Sequence, residues 1–139
     1  MSDIQLGTEV DASYIKKKLI EYNMTQIPDH IKTPNEQVVL VIKDHQKIIA
    51  GVTGTMFWYH LHIDFLWVDD RVRKQGYGSS LLNEIEILAR NKGCRLIFLD
   101  TFSFQAPEFY KKHGFKVVGK LEDHPQGFEQ YFLEKRLTN

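Results

Sequence analysis

The stretch from Val68 to Ser80 decides the fold, and it reads VDDRVRKQGYGSS. An apolar run ends at its first residue and an amphipathic pattern begins near Gly78, so it predicts a strand, a charged loop and a helix N-terminus. Gly76 and Gly78 stand where the helix begins, and glycine allows backbone N–H groups to turn outward there. Together with the helix dipole, these donors predict an anion site, and phosphate is the anion that fits best.

Three kinds of phosphate-binding loop compete for this stretch. A P-loop requires G-x-x-x-x-G-K-S/T, and the chain contains no such string. A Rossmann loop requires G-x-G-x-x-G close to the strand end; Leu81 replaces the third glycine, although Asp100 at the end of the next predicted strand suits that fold. The third pattern is R/Q-x-x-G-x-G/A, and the residues that match it are Arg73, Lys74, Gln75, Gly76, Tyr77 and Gly78.

Composition indicates an ordinary globular protein, predicted to form a single domain over residues 1–139. The hydrophobic fraction is 42%, the net charge is zero and the pI is about 7.0, which predicts no partnership with nucleic acid or membrane. The polar N-terminus has no signal-peptide pattern, and no apolar run is long enough to span a membrane. The single Cys94 cannot form an intrachain disulfide and suits a reducing compartment, so a cytoplasmic protein is predicted.

Hydrophobic periodicity predicts the order of the elements. A short strand is predicted at residues 4–6, then a helix over 12–23 with Asp11 as its N-cap, then a loop over 24–34 with one helical turn. Further strands are predicted at residues 37–43, 47–58, 61–68, 95–100, 115–121 and 128–135, and further helices at 78–92 and 106–113. The apolar run at 95–100 predicts a strand parallel to the strand at 61–68, joined to it by a right-handed crossover.

Two details of the predicted strands concern the faces of the sheet. Gly51 and Gly54 predict a bulge or a close backbone approach in the strand at 47–58. Simple alternation in the strand at 61–68 divides its side chains between two faces. One face is predicted to carry Leu61, Ile63, Phe65 and Trp67, and the other His62, Asp64, Leu66 and Val68.

A second motif occurs between Ser103 and Phe115, in the string SFQAPEFYKKHGF. With the glycine loop, it resembles the GNAT superfamily of acyl-CoA-dependent N-acetyltransferases, in which Asn-x-x-Ala-x-x-x-Tyr precedes Gly-Phe. Ala106, Tyr110 and Gly114-Phe115 keep those offsets, while Ser103 replaces the asparagine. The resemblance covers nearly the whole chain beyond its first 36 residues. It implies an α+β fold with a mixed, mostly antiparallel central sheet and helices on both faces.

The resemblance also implies acetyl-CoA as co-substrate and a primary amine of a small molecule or peptide as acceptor. Two parallel strands would splay at their carboxyl ends to admit the cofactor, and a homodimer is compatible with the family. The pantetheine arm would pair with the backbone of Leu66, Trp67 and Val68, and Ser103 would bind it in part. The pyrophosphate would lie on Arg73, Lys74, Gln75, Gly76, Tyr77, Gly78 and Ser79.

Acetyl transfer needs a neutral amine and a proton for the departing thiolate, so a base and an acid are expected. Asp64 occupies a position where the family often places an acidic residue, and His62 shares its face. Two interpretations stay open: one of these residues acts as the base, directly or through water, or both cover a solvated face of the strand. Tyr110 is the implied general acid, and its alternative is a core tyrosine. His60 and His62 lack a third metal ligand, so no metal is predicted.

Other interpretations stay open at this stage. One alternative is a sensor of the same fold that binds acyl-CoA without turnover. Another is a module that binds a partner protein through the exposed edge of its C-terminal hairpin. Residues 57–59, Phe-Trp-Tyr, predict the end of a hairpin or a wall of the acceptor pocket. Cys94 lies at the end of its strand away from the loop, which favours a structural thiol over an acyl-carrying nucleophile.

Overall fold

The structure is a computed structural model that describes residues 3–137, and the chain divides into two compact units at Thr33/Pro34. Within the described residues, no helix combines the length and the apolar character that a membrane span requires. The single-domain organisation stays a prediction, and the two units are described in turn.

The N-terminal unit contains helix α1, Glu9–Gln26, and a 3₁₀ turn, Asp29–Ile31, which confirms the predicted helical turn. The helix begins earlier than predicted because Thr8, not Asp11, is its N-cap. Asp11 is the third helical residue and completes a capping box: its carboxylate accepts from Thr8 N at 2.9 Å, and Thr8 Oγ1 accepts from Asp11 N at 3.4 Å. The strand predicted at residues 4–6 is wrong, since that segment is exposed and pairs with no described strand.

The second unit is built on a six-stranded sheet, which confirms the mixed, mostly antiparallel architecture. In spatial order the strands are β1, β2, β3, β4, β6 and β5, and only β3 and β4 pair in parallel. The elements in chain order are β1 Glu36–Asp44, β2 Lys47–Phe57, β3 His60–Val68, α2 Tyr77–Asn91, β4 Leu96–Phe102, α3 Pro107–Lys112, β5 Lys116–Leu121 and β6 Gln130–Arg136. Each strand predicted after residue 36 is present, and no strand end differs from its predicted position by more than two residues.

Two tight turns join the first three strands. His45 and Gln46 connect β1 to β2 with φ of 50° and 68°, and Trp58 and Tyr59 connect β2 to β3 with φ of 52° and 58°. Positive φ at both central residues is the geometry of two-residue hairpin turns that match the sheet twist. The prediction that residues 57–59 end a hairpin is therefore confirmed.

A β-bulge at Asp64 corrects the predicted faces of β3. Ile63 lies opposite Gly54 and Phe65 lies opposite Thr53, so Asp64 has no residue opposite it in β2. One extra residue reverses the alternation of every side chain beyond it. The inward-facing side chains are therefore Leu61, Ile63, Leu66 and Val68, while Phe65 and Trp67 are exposed.

The hydrophobic core lies between the sheet and helix α2. The helix packs an apolar stripe against β1, β2 and β3, and the buried residues of that stripe are Leu81, Leu82, Ile85 and Ala89. Tyr110 of α3 and Phe115 join the same core. Because α2 is held along its length, the backbone groups of its first turn are fixed in direction relative to the ends of the strands.

Candidate active site

The two parallel strands separate at their carboxyl ends, as the resemblance implied. β3 and β4 pair at only three positions, of which the last is His62 opposite Phe98. Beyond it, β3 continues to Val68 paired with β2, and β4 continues to Phe102 paired with β6. On the edge that faces β4, the backbone of residues 63–68 has no strand partner within the described chain. Such an edge can pair with an amide-containing ligand arm, which is the role expected of Leu66, Trp67 and Val68.

Helix α2 begins beside this opening with its first turn uncapped by any side chain. Its N-cap is Gly76, with φ of 82°, and no side chain of the described residues accepts a hydrogen bond there. The N–H groups of the first turn are therefore directed outward with the positive end of the helix dipole. A Cβ on Gly76 would meet no atom within 4 Å, so glycine is required by the backbone angle.

The charged loop before α2 carries the predicted basic residues at its surface. Arg73 pairs with Asp70 at 2.9 Å and is exposed, and Lys74 adopts a positive φ of 67°. The Asp69 carboxylate accepts hydrogen bonds from the side chain and the backbone N–H of Arg71, and these bonds stabilise the turn. The same hydrogen bonds lower the pKa of Asp69 to about 2. The loop thus presents cations and backbone donors together, which suits a diphosphate.

Contacts between α2 and α3 hold the start of α2 in place. A Cβ on Gly78 would lie 3.4 Å from the Phe109 ring, at the lower limit of ordinary van der Waals contact, so the start of α2 lies close to α3. Ser79 Oγ lies 3.0 Å from His113 Nε2, at the far end of α3. Tyr77 packs against the core. Sequence reasoning gave Ser79 a cofactor role but missed its partner, because His113 is 34 residues distant along the chain.

A line of polar side chains crosses the sheet at the point of separation. On β3, His62 Nδ1 lies 2.7 Å from Asp64 Oδ1, and on β2 the Thr55 hydroxyl donates to Asp64 Oδ2 at 2.7 Å. Across the gap, His62 Nε2 lies 3.7 Å from Asp100 Oδ1 of β4. Gln130 of β6 donates to Asp100 Oδ2 at 2.6 Å. The prediction that His62 and Asp64 share a face is confirmed, while the roles of Thr55, Asp100 and Gln130 were missed.

Tyr110 is the fourth of the six residues of α3 and is buried, with 7% of its surface exposed. Its ring packs edge-on against Phe109 and Phe115, at centroid distances of 5.3 Å and 5.8 Å. Burial raises the pKa of Tyr110 to about 12, so the phenol stays protonated at neutral pH. A protonated phenol can donate a hydrogen bond or a proton to a developing anion.

Ser103 takes part in the pairing of β4 with β6. Its backbone N–H donates to Glu129 O at 2.8 Å, and its hydroxyl accepts from Glu129 N at 3.1 Å. The hydroxyl proton is left for another acceptor, so the partial contact with a cofactor stays a prediction. Gln105, unnoticed in the sequence, ends β4 by accepting from Phe102 N and from the Thr101 hydroxyl at 2.7 Å and 3.0 Å.

Cys94 and His60, two other candidate residues, lie in partly or fully buried surroundings. Cys94 is buried, and its Sγ lies 3.8 Å from the sulfur of Met56; burial raises the pKa of its thiol. Burial also lowers the pKa of His60, with a further contribution from His62. Among residues 3–137, no group of three or more acidic, histidine or cysteine side chains has the arrangement of a metal site.

Comparisons with known proteins agree with this geometry. The sequence model of the acetyltransferase (GNAT) family matches residues 7–115. A blasticidin-S acetyltransferase of Streptomyces morookaense is 37% identical over 92 residues, which cover 66% of this chain and 68% of that protein. A crystal structure of an acetyltransferase from Bacillus cereus is 60% identical, covers 98% of each chain and superposes with a TM-score of 0.95.

A more distant structure, from Bacillus anthracis, is described as a streptothricin acetyltransferase and contains acetyl coenzyme A. The two sequences are 23% identical, and the superposition covers 76% of this chain and 65% of that chain with a TM-score of 0.65. The likeness therefore concerns the fold. Because the family match spans most of the chain, the chain belongs to the GNAT acetyltransferase family.

Proposed function

We propose that the protein transfers the acetyl group of acetyl-CoA directly to a primary amine of a small molecule or peptide. The observation that carries this proposal is the opening between β3 and β4 beside the uncapped N-terminus of α2. Free backbone edge, outward N–H groups and surface cations together suit the amide-rich arm and the pyrophosphate of a coenzyme A thioester. The names of relatives support an amine acceptor, since one is a blasticidin-S acetyltransferase and another a peptidyl-lysine N-acetyltransferase.

In this proposal the backbone of residues 66–68 holds the pantetheine arm and the α2 N-terminus holds the pyrophosphate. Acetyl-CoA supplies the activated acyl group. Asp64 or His62 accepts a proton from the amine, directly or through water, and the Tyr110 phenol donates one to the leaving thiolate. A cytoplasmic location and a single domain remain predictions from the sequence.

A thermal-shift experiment tests the cofactor. A ligand that binds only the native state at about 100 times its Kd stabilises that state by about 2.7 kcal/mol, so acetyl-CoA should raise Tm by several degrees. NAD serves as the control, because it also carries a pyrophosphate. A rise with NAD and none with acetyl-CoA would contradict the proposal.

A turnover experiment separates the enzyme from the second candidate, a non-catalytic acyl-CoA sensor. The protein is incubated with acetyl-CoA and a panel of primary amines and lysine peptides, and acetylated products are detected by mass. Acetyl-CoA binding with one or more acetylated amines supports the enzyme. Binding without any product, across a panel that includes antibiotics, would favour the sensor.

A further inference from the structure

The hydrogen-bond donors and acceptors can be identified for the polar side chains at the gap between β3 and β4. Asp64 uses both carboxylate oxygens: Oδ2 accepts from the Thr55 hydroxyl and Oδ1 lies 2.7 Å from His62 Nδ1. An ionised carboxylate only accepts hydrogen bonds. His62 Nδ1 must therefore carry a hydrogen, and in a neutral imidazole the lone pair then lies on Nε2.

The lone pair on His62 Nε2 faces a second acceptor. Asp100 Oδ1 lies 3.7 Å away, while the other oxygen of that carboxylate accepts from Gln130 at 2.6 Å. At 3.7 Å the two atoms are too far apart for a good direct hydrogen bond. Both acceptors can be satisfied by one nitrogen atom that carries at least two hydrogens and lies to one side of the line joining them, about 2.9 Å from each.

The surroundings favour a positive charge on that nitrogen. Asp64 and Asp100 flank His62 from β3 and β4, whereas Thr55 and Gln130 are neutral. Burial and the proximity of His62 lower the pKa of His60, so the second histidine of β3 adds no opposing charge at neutral pH. The Phe98 ring, 4.7 Å from the His62 ring, packs against it and limits its rotation.

We propose that the acceptor amine binds as an ammonium ion that donates hydrogen bonds to both His62 Nε2 and Asp100 Oδ1, and that His62 is the group that deprotonates it. Asp64 is then a positioning residue that fixes the tautomer of His62, and Asp100 selects a cationic acceptor over a neutral or anionic one. This inference rests on the proposed acetyl transfer, and it replaces the carboxylate of Asp64 by the imidazole as the base.

The protons balance along this route. His62 Nε2 takes one proton from the ammonium, and the freed nitrogen lone pair forms the C–N bond at the thioester carbonyl. The C–S bond then breaks, and the sulfur takes the phenol proton of Tyr110. The new amide nitrogen gives up its second proton, which restores the Tyr110 phenol. His62 returns its proton to water, so an ammonium ion and acetyl-CoA yield an amide, a thiol and one proton.

The geometry makes Asp64 a poor base by comparison. Its two oxygens are already occupied by Thr55 and His62, and proton uptake there would break one of these hydrogen bonds. His62 can take up a proton and keep its bond to Asp64, since an imidazolium donates from both nitrogens. The carboxylate then stabilises the charge that develops on the ring.

Nitrogen-15 NMR of the imidazole tests the arrangement without any turnover. At about pH 8, the His62 signals should be those of the tautomer with its hydrogen on Nδ1. Butylammonium should shift the Nε2 resonance, while butyrate should not. Asp100→Asn should abolish the butylammonium shift. A hydrogen on Nε2, or an equal response to butyrate, would overturn the inference.

Kinetics with the amine that reacts fastest in the panel tests the division of roles. His62→Gln should lower kcat by about a hundredfold or more with acetyl-CoA binding unchanged, and His60→Gln, a matched control on the same strand, should stay within about threefold. Asp100→Asn should mainly raise KM for the amine. Full activity of His62→Gln would contradict the inference.

The variant Asp64→Asn distinguishes His62 from Asp64 as the base. Because Asp64 fixes the tautomer of His62, its loss should raise the share of the tautomer with its hydrogen on Nε2 in the nitrogen-15 spectrum, and it should lower kcat less than His62→Gln does. If Asp64 were the base, Asp64→Asn would remove turnover as completely as His62→Gln, and the inference would fail while acetyl-CoA still raised Tm. Absence of any acetyl-CoA effect would instead contradict the proposed function, and the NMR result would still decide the state of His62.

Discussion

At the scale of the residue, Tyr110 combines a packing role with a chemical one. Tyr110→Phe keeps the ring contacts with Phe109 and Phe115 and removes only the hydroxyl. If the phenol protonates the thiolate, kcat should fall at least about tenfold, with KM for acetyl-CoA nearly unchanged. Steady-state kinetics and a melting curve of the wild type and of Tyr110→Phe test this prediction.

Tyr131→Phe is the matched control, since Tyr131 also packs against the core but on β6. It should leave kcat within about twofold. If Tyr110→Phe lowered Tm while the turnover per folded molecule stayed at the wild-type value, the hydroxyl would be structural and water would be the proton donor.

A second residue-scale prediction concerns the left-handed conformation of Gly76. Gly76→Ala places a Cβ in open space at φ of 82°, so the cost is one of backbone strain, about 1–2 kcal/mol. Relief of that strain would turn the first N–H groups of α2 away from the ligand. We expect a lower Tm and a Kd for acetyl-CoA raised by at least about tenfold, measured by calorimetry.

Gly127 supplies the control, because it has φ of 86° and equally open space in the turn between β5 and β6. Gly127→Ala should lower Tm by a similar amount and leave the affinity for acetyl-CoA unchanged. Equal affinity in both variants would place the pyrophosphate away from the α2 N-terminus.

At the scale of the element, the bulge in β3 sets the position of Asp64. Gly54 lies opposite Ile63, and a Cβ there would come within 2.7 Å of Leu61 Cδ1 and 3.0 Å of the His62 carbonyl oxygen. Gly54→Ala should therefore overpack the sheet at a cost of about 1–3 kcal/mol. The urea midpoint should fall, and activity should fall with it because the backbone of His62 is displaced.

Gly119→Ala is the corresponding control in β5, where the nearest atoms to an added Cβ lie 3.8 Å away in Phe132. Its urea midpoint should stay close to that of the wild type. A tolerant Gly54→Ala with an equal midpoint would mean that the bulge has room to adjust.

The same bulge marks how far the sequence could predict the site. The glycine loop was predictable because Gly76 and the strand before it carry a local chemical signal. The exchange of faces by Phe65 and Leu66 was not predictable, since the extra residue in β3 depends on how Gly54 of the neighbouring strand pairs. The site itself draws Thr55, His62, Asp100 and Gln130 from four strands, and no spacing within one strand brings them together. The cap at Thr8 was readable, because Thr8-x-x-Asp11 has the form of a capping box.

At the scale of the whole molecule, one partly buried ion pair connects three elements. Lys135 of β6 donates to Glu86 of α2 at 2.6 Å and to the carbonyl of His113, at the end of α3, at 2.9 Å. Both charged side chains are mostly buried, and Arg90 donates to the second Glu86 oxygen at 3.2 Å. The pair therefore ties the helix that carries the anion site to the C-terminal part of the sheet.

This pair predicts a pH-dependent contribution to stability. Burial by itself would raise the pKa of Glu86, but the hydrogen bonds from Lys135 and Arg90 outweigh it, and the net pKa lies below the ordinary 4.5. A carboxyl whose pKa is lowered on folding stabilises the native state fully above its unfolded pKa, and this contribution is lost as pH falls through the folded pKa. Glu86→Gln should thus cost about 1–3 kcal/mol near neutral pH.

Urea unfolding at a series of pH values measures the effect. The difference in free energy of unfolding between the wild type and Glu86→Gln should be constant above the ordinary pKa of 4.5 and shrink at more acid pH. Glu108→Gln is the control, because its pair with Lys111 has a similar 3.0 Å distance but is exposed, and it should cost less than about 0.5 kcal/mol. A difference for Glu86→Gln that did not change with pH would assign its cost to packing and not to charge, and the connection among α2, α3 and β6 would then rest on the neutral contacts alone.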